Sequence, residues 1–283
     1  MPEIANALEL ADAVRAIQRR RQFDDAGVRL SLELAQRGTV WVARDQGETI
    51  GIVVAHDSEE ERYVGDLFVE PSYRGQGFGA GLLEAALSDA GDLAQTMLFD
   101  PSDAAAFALA LRQRMAQRES LVRFAGAIPR EEELAKMAAG EYRFQVDVVD
   151  PLAHSFALNG LDRQSRGAVR PSDHTEFARS ATGHCFFLSG ELVGYAYVWP
   201  DGRLGPLACA SEAYLVQIFA YALVTLQRGY GASWCSALIP GSNRRIARAA
   251  LRAGLRIQKS SLLASDALDI SLSTYIGYHE LLF

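Results

Sequence analysis

Along the first hundred residues the spacing of hydrophobic positions changes several times, and each change marks an element. Residues 7–21 and 28–37 alternate apolar and polar positions at helical spacing in Ala-, Leu- and Arg-rich sequence. Thr39 to Ala43 then reads as a strand, Asp45-Gln46-Gly47-Glu48 as a turn, and Thr49 to His56 as the returning strand. Asp57-Ser58-Glu59-Glu60-Glu61 is a solvated connection to a third strand, Arg62 to Val69, which Glu70-Pro71 breaks off. The pattern then predicts a helix over Gly79–Ala90, a strand over Gln95–Phe99, and a second helix over Asp103–Gln117 with Asp103 as its N-cap. Tyr142 to Val149, reading YRFQVDVV, alternates like a strand and ends at Asp150-Pro151.

Beyond that point the chain repeats itself in outline. Gly47-Glu48-Thr49-Ile50-Gly51 returns as Gly190-Glu191-Leu192-Val193-Gly194, offset by 143 residues, and each Gly-Glu turn opens an apolar strand. Farther on, Met97 to Phe99 followed by Asp103 is matched by Cys235 to Ile239 followed by Asn243, offset by 140. Two copies of one meander-then-βα-βα unit are expected, a domain over 1–149 and a second over 150–283. No Ser/Gly/Pro-rich linker separates them, so they are expected to pack together.

Length agrees with two domains: the chain has 283 residues, 49% hydrophobic and 22% charged, an ordinary globular composition. The formal charge of −7 argues against a general nucleic-acid binder, which needs a basic face. That charge is uneven, net −10 over residues 1–150 and +3 over 151–283. An acidic first half either favours cationic small molecules through its summed field or is a solvated surface. Cys185, Cys209 and Cys235 are too few and too scattered for a disulfide framework and read as reduced thiols of a cytoplasmic protein. There is no basic-then-apolar leader at the start of the sequence, and the longest apolar stretch, Ala213 to Leu226, contains Gln217 and reads as a core helix, not a membrane span. The histidines, His56, His154 and His184 among them, show no paired metal spacing.

Chemistry concentrates in Tyr63 to Leu83, where a strand runs into a loop with glycine at 75, 77 and 79 and the loop runs into an amphipathic helix. The first amides of a helix lack intrahelical acceptors and sit at the positive end of its dipole, so they bind phosphate oxygens. Glycine lets the backbone approach a phosphate closely, and Arg74 adds a positive charge. Gly-Lys-Ser/Thr is absent, so this is no Walker loop. The preceding strand comes from an antiparallel meander and no strand-borne acid follows, so a dinucleotide fold fits poorly. Glycines before a helix also serve tight packing alone, and that reading stays open here.

The run Val69-x-Pro71-x-Tyr73-Arg74-Gly75-x-Gly77-x-Gly79 resembles the acetyl-coenzyme A signature of the GCN5-related N-acetyltransferase (GNAT) superfamily, with Arg74, Gly77 and Gly79 at its Arg-x-x-Gly-x-Gly/Ala positions. Glu3 to Asp12 is similar to that family's first strand and helix. The resemblance is strong over 1–118 and weak over 150–283, where Cys209-Ala210-Ser211-Glu212 stands in place of the glycine cradle. It implies an α/β (α+β) fold of two packed domains, each a mixed, mostly antiparallel twisted sheet flanked by helices, with a degenerate second copy. It implies acetyl-CoA as cofactor. Arg74, Gly75, Gln76, Gly77, Phe78, Gly79 and Ala80 would hold its pyrophosphate, and main-chain groups of Phe68 and Val69 its pantetheine arm, where strands splay at a bulge. Acetyl would pass directly to an amine, the protein supplying position, a base and an oxyanion donor.

Gly65 stands where many relatives carry a glutamate, which leaves Asp66 as the candidate base or, alternatively, a strand-end hydrogen-bonding group. The tyrosine that often acts as acid is missing: the corresponding positions hold Ala110 and, in the second copy, Ala250. Tyr73 is then either the acid or a packing residue. Arg163, Arg166 and Arg170 either reach a cofactor phosphate or pair with surface acids, and Arg19-Arg20-Arg21 reads as a solvated helix end. The expected function is transfer of acetyl from CoA to a small-molecule or peptide amine, with a homodimer as one assembly and no nucleic-acid or membrane partner. A catalytically silent acyl-CoA sensor, O-acylation and a structural subunit are the alternatives.

Overall fold

The computed structural model describes residues 3–6, 10–20, 25–267 and 271–283. They form two compact units: residues 1–117 with 263–267 and 281–283, and residues 118–262 with 268–280.

In the first unit the chain runs β1 (Glu3–Asn6), α1 (Leu10–Arg20), α2 (Asp25–Arg37), β2 (Thr39–Asp45), β3 (Glu48–Asp57), β4 (Glu61–Val69), α3 (Phe78–Leu87), β5 (Ala94–Phe99) and α4 (Ala104–Arg112). The strands lie in the order β1-β2-β3-β4-β5, antiparallel except for the parallel β4–β5 pair. Residues 263–267 continue the sheet beside β5, where the Thr96 hydroxyl donates to Ser265 Oγ at 3.1 Å and the Gln95 amide to Asp266 Oδ1 at 2.8 Å. Val14, Ile17, Leu30 and Leu34 of the first two helices, Leu82, Leu83 and Ala86 of α3, and the apolar runs of β2 and β3 are buried. Glu61, expected in the solvated connection, belongs instead to this interior, as does Arg62 of the strand. The Arg62 guanidinium is 4% exposed and bonds both carboxylate oxygens of Asp57, at 2.6 and 2.7 Å, as well as Asp89.

In the second unit β6 (Ala116–Ala127), α5 (Glu131–Ala138), β7 (Gln145–Val148), α6 (Ser155–Arg166), α7 (Pro171–Ser180), β8 (Thr182–Leu188), β9 (Glu191–Val198), β10 (Arg203–Cys209), α8 (Leu215–Tyr230), β11 (Trp234–Pro240), α9 (Arg244–Arg252), β12 (Arg256–Ser265) and β13 (Tyr275–Ile276) follow. Its strand order, β7-β8-β9-β10-β11-β6, repeats that of the first unit. The echo read from the sequence is therefore structural. Gln46-Gly47 and Ser189-Gly190 both carry positive φ, at 49° and 83° and at 53° and 85°, as the two-residue hairpin turn that matches strand twist requires. Asp103 and Asn243 both cap a helix, accepting from Ala106 N at 2.9 Å and Ile246 N at 3.3 Å. Leu215, Ile218, Phe219, Ala222, Leu223 and Leu226 of α8 are buried at helical spacing. Gln217 on that helix is satisfied by the carbonyls of Ala138 and Tyr142 at 3.1 and 3.2 Å. Among the described residues no helix is long and apolar enough to cross a membrane.

Three expectations change. The helix from Asp103 stops at Arg112, because Arg114 takes φ of 62° and the Met115 amide closes onto Ala110 O at 3.0 Å, burying Met115 and turning the chain into β6. The compact units divide after Gln117, since β6 pairs with β11 over Leu121–Ala127; Asp150-Pro151 separates β7 from α6 inside the second unit. Residues 7–9 and Arg21, parts of the expected first helix and arginine run, lie outside the described residues.

Candidate cofactor and acceptor site

The site begins where two strands part. β4 and β5 pair only through Glu61–Val64 and Ala94–Met97. At that point the β3–β4 register shifts: Val54 faces Asp66 and Ala55 faces Val64, so Gly65 is the extra residue of a bulge. The bulge thus falls at Gly65, ahead of the Phe68–Val69 position expected for it. The absence of a side chain there is required by packing. A Cβ on Gly65 would lie 2.3 Å from the carbonyl oxygen of Leu281, whose segment, Leu281-Leu282-Phe283, is buried in this unit.

β4 then runs to Val69. The Glu70 amide still reaches Ile50 O at 2.8 Å, and Pro71–Tyr73 forms a short 3₁₀ turn. Gly75 and Gly77 follow with φ of 77° and 93°, Gly77 directly before α3. No side chain caps this helix. Described hydrogen bonds engage the amides of Arg74, with Pro71 O, and of Gly81, with Gly77 O; those of Gly75 to Ala80 reach no protein acceptor. A Cβ at Gly75 or Gly77 would meet nothing within 4 Å, whereas one at Gly79 would touch Leu109 at 3.4 Å and one at Gly81 would meet Ile4 at 2.6 Å. The glycines therefore divide into two kinds. Gly79 and Gly81 serve close packing, and Gly75 and Gly77 leave open space beside amides that have no described protein acceptor.

Around this bend the Arg74 Nε donates to Val69 O at 3.1 Å and Gln76 Nε2 to Ser72 O at 3.1 Å. Both side chains are exposed, while Phe78 is buried edge-on to Tyr73. The Tyr73 hydroxyl donates to Asp45 Oδ2 at 3.3 Å, and partial burial with the Asp45 and Glu48 carboxylates holds it above the ordinary tyrosine range. Asp66 is 5% exposed, and its Oδ2 accepts from Gln18 Nε2 of α1 at 3.5 Å. Tyr73 and Asp66 thus have separate partners, Asp45 near the β2–β3 turn and Gln18 on α1. Ala110 is fully buried, a packing position with no acid to offer. Gln18 was not singled out in the sequence, where it is one polar residue of an amphipathic helix. Its place one turn beyond the apolar Val14 is the signal that it faces inward.

The second unit has the same framework without the opening. β10 carries its own bulge, a register shift between Leu204 and Leu207, and a Cβ on Gly205 would lie 2.2 Å from Gly277 O. There β10 and β11 pair only at Arg203–Leu204 with Ser236–Ala237, and Tyr275–Gly277 lies between them beyond that point. Tyr275 and Ile276 pair with Ala208 and Leu207 of β10, and Gly277 bridges Leu238 of β11. Asn243 Nδ2 holds Tyr275 O at 3.0 Å. Where the glycine loop would be, Ala213 N bonds Ser211 Oγ at 3.2 Å and Tyr214 N bonds Ser211 O at 3.1 Å. Burial pushes the thiols of Cys185 and Cys235 up to about 12 and raises that of Cys209, so all three free cysteines are inert packing groups.

Residues 36–110 match the family model of the acetyltransferase (GNAT) domain. No curated protein matches the chain. Among solved structures, a protein from Pyrococcus horikoshii proposed to be an acetyltransferase is similar with 17% identity and a TM-score of 0.74, over 100% of this chain and 96% of that one. A tandem GNAT protein from the clavulanic acid biosynthesis pathway is 15% identical with a TM-score of 0.60, over 94% and 98%. A GCN5-related N-acetyltransferase from Sphaerobacter thermophilus is 15% identical with a TM-score of 0.63, over 96% and 98%. At these identities the likeness is one of fold.

Proposed function

We propose that this chain, which carries a GNAT domain over residues 36–110 and has the fold of a tandem GNAT protein, is an N-acetyltransferase that uses its first unit for catalysis. One observation supports this above the others: the amides of Gly75 to Ala80, at the start of an uncapped helix, reach no described protein acceptor, and a Cβ at Gly75 or Gly77 would meet nothing within 4 Å. Those amides, the α3 dipole and Arg74 would hold the pyrophosphate of acetyl-CoA. Main-chain groups of Phe68 and Val69, past the bulge, would line the pantetheine arm. When bound, acetyl-CoA supplies the thioester carbonyl that an amine attacks. Asp66 takes the proton from the amine, Gln18 orients that carboxylate, and the Gly65 bulge turns main-chain groups into the splay. Tyr73 steadies the bend from Asp45 and is assigned no proton transfer.

The acceptor is a small-molecule or peptide amine in the cytoplasm, and the net −10 of residues 1–150 favours a cationic one. The second unit is assigned no cofactor, because its own residues 275–277 stand between β10 and β11 and Ser211 takes up the amides of its turn. Titration calorimetry with coenzyme A tests the reading: native protein binds, and Gly77→Glu abolishes binding while leaving the fold intact. Absence of binding by the native protein overturns it.

A second reading, a silent acyl-CoA sensor, draws on the buried, hydrogen-bonded state of Asp66 and on Gly65 in place of a glutamate. A panel of amines with thiol release as readout separates the two, since a sensor binds coenzyme A and never turns over.

A further inference from the structure

The inward face of α6 begins apolar, with Leu158 and Leu161, and then turns polar while remaining buried: Asp162, Ser165 and Arg166 continue it at no more than 3% exposure. Arg170, Asp173 and His174 at the start of α7, Tyr195 and Tyr197 of β9, and Tyr275 of β13 enclose the same region of the second unit. Most of these groups satisfy one another. Asp162 Oδ2 bonds His174 Nε2 at 2.9 Å, Asp162 Oδ1 accepts from the Tyr195 hydroxyl at 2.5 Å, and His174 Nδ1 meets the Tyr197 hydroxyl at 3.0 Å. Ser165 donates to Leu161 O at 2.6 Å and Arg166 Nη1 to Ala168 O at 2.7 Å.

Arg170 stands apart because all three of its nitrogens lack an acceptor. Its side chain is 2% exposed, and Nε, Nη1 and Nη2 are each buried without a hydrogen-bond acceptor. Its guanidinium carbon lies 5.5 Å over the Tyr275 ring. Burial opposes the charge, but the neighbouring tyrosines and the Asp162 and Asp173 carboxylates raise the guanidinium above its ordinary range, so it stays protonated. A buried cation with every donor unpaired is among the costliest arrangements in a protein interior, and such groups mark places where a ligand or ordered water completes the bonding.

The donor geometry and the charge balance define the ligand. A guanidinium presents a planar fork that matches a carboxylate with two parallel hydrogen bonds. Two arginines and two aspartates already balance within the cluster, so a monoanion disturbs the buried charge less than a dianion does. The Tyr275 ring against the guanidinium gives a ligand's short carbon chain an apolar surface to meet. We propose that Arg170 anchors a second binding site, enclosed within the second unit, for the carboxylate of a small monocarboxylic acid. This site is independent of the cofactor reading for the first unit.

Thermal unfolding of the full chain in sodium acetate and sodium butyrate, against sodium chloride and sodium phosphate at equal ionic strength, tests the proposal. The carboxylates raise the midpoint by several degrees, as ligands that bind only the folded state do, and chloride and phosphate do not. Arg170→Lys keeps the charge and removes the fork; it folds and binds butyrate at least tenfold more weakly. Arg170→Met abolishes the response. A midpoint that does not distinguish butyrate from chloride overturns the proposal, as does an equal rise in phosphate or an undiminished response in Arg170→Lys. A crystal structure grown in butyrate with only water against Arg170 overturns it as well.

Discussion

Arg74 Nε donates to the carbonyl oxygen of Val69 across the bend between β4 and α3, at 3.1 Å. One exposed side chain thus braces the end of the strand, and its two outer nitrogens have no described partner. Arg74→Ala removes the brace and both outer nitrogens. Coenzyme A affinity is expected to fall on the order of tenfold by calorimetry, the scale of one charge-assisted hydrogen bond. Since Arg74 is exposed, the thermal midpoint should scarcely move.

Gly77→Ala and Gly77→Glu separate strain from obstruction. Gly77 has φ of 93°, so any side chain there costs about 1–2 kcal/mol of backbone strain. Nothing lies within 4 Å of its would-be Cβ, so no clash adds to that cost. Both variants should lose similar stability in chemical unfolding, but only the glutamate, which sets a negative charge against a pyrophosphate, should eliminate coenzyme A binding.

Asp66→Asn is nearly isosteric and retains a hydrogen bond to Gln18. If Asp66 is the base, kcat falls by roughly 10²–10⁴ with coenzyme A affinity unchanged. An unaltered kcat would assign Asp66 to structure alone.

Gly65→Ala places a methyl 2.3 Å from Leu281 O in a buried setting, so the backbone must move. A loss of about 1–3 kcal/mol is expected from overpacking, read by urea unfolding. An alanine tolerated without loss would mean that residues 281–283 are easily displaced from β4.

The acid limb of stability has an identifiable contributor in the second unit. Burial alone would raise the Glu280 carboxyl, but hydrogen bonds and charge from Arg123 hold it at about 2 against an ordinary 4.5. Because the folded value is the lower one, the stabilisation is complete above pH 4.5 and is lost as pH falls towards 2. Glu280→Gln should therefore cost on the order of 3 kcal/mol at pH 7. Its stability should also decline less steeply than the native protein's between pH 4.5 and 2.

Much of the framework was legible because its signals are local. Strand alternation, the Gly47 and Gly190 turns and the Asp103 and Asn243 caps each depend on a few neighbouring residues, and all appear where the pattern placed them. The bend at Arg74 to Ala80 was legible for the same reason, although only coordinates could divide its glycines into packing and open positions. What escaped was non-local. Nothing around Leu121 announces that it pairs with Pro240, so the division after Gln117 was invisible. Arg166 and Arg170 read either as cofactor-phosphate contacts or as partners of surface acids, because nothing local in the sequence shows that both are buried. Asp162 and Ser165, which carry the buried stripe of α6 past Leu158 and Leu161, were the available sign of a polar interior.

The hydroxyl of Thr96 meets that of Ser265, 169 positions farther along the chain, and this governs how the molecule can be made and dissected. A ribosome that has released only the first 117 residues has not yet delivered the neighbour of β5, so an exposed, unsatisfied strand margin persists until residues 263–267 emerge. Truncated genes designed to isolate residues 1–117 would reproduce that immature intermediate, with its tendency to pair with other chains. Solubility screens should therefore begin from chains that include residues 263–267.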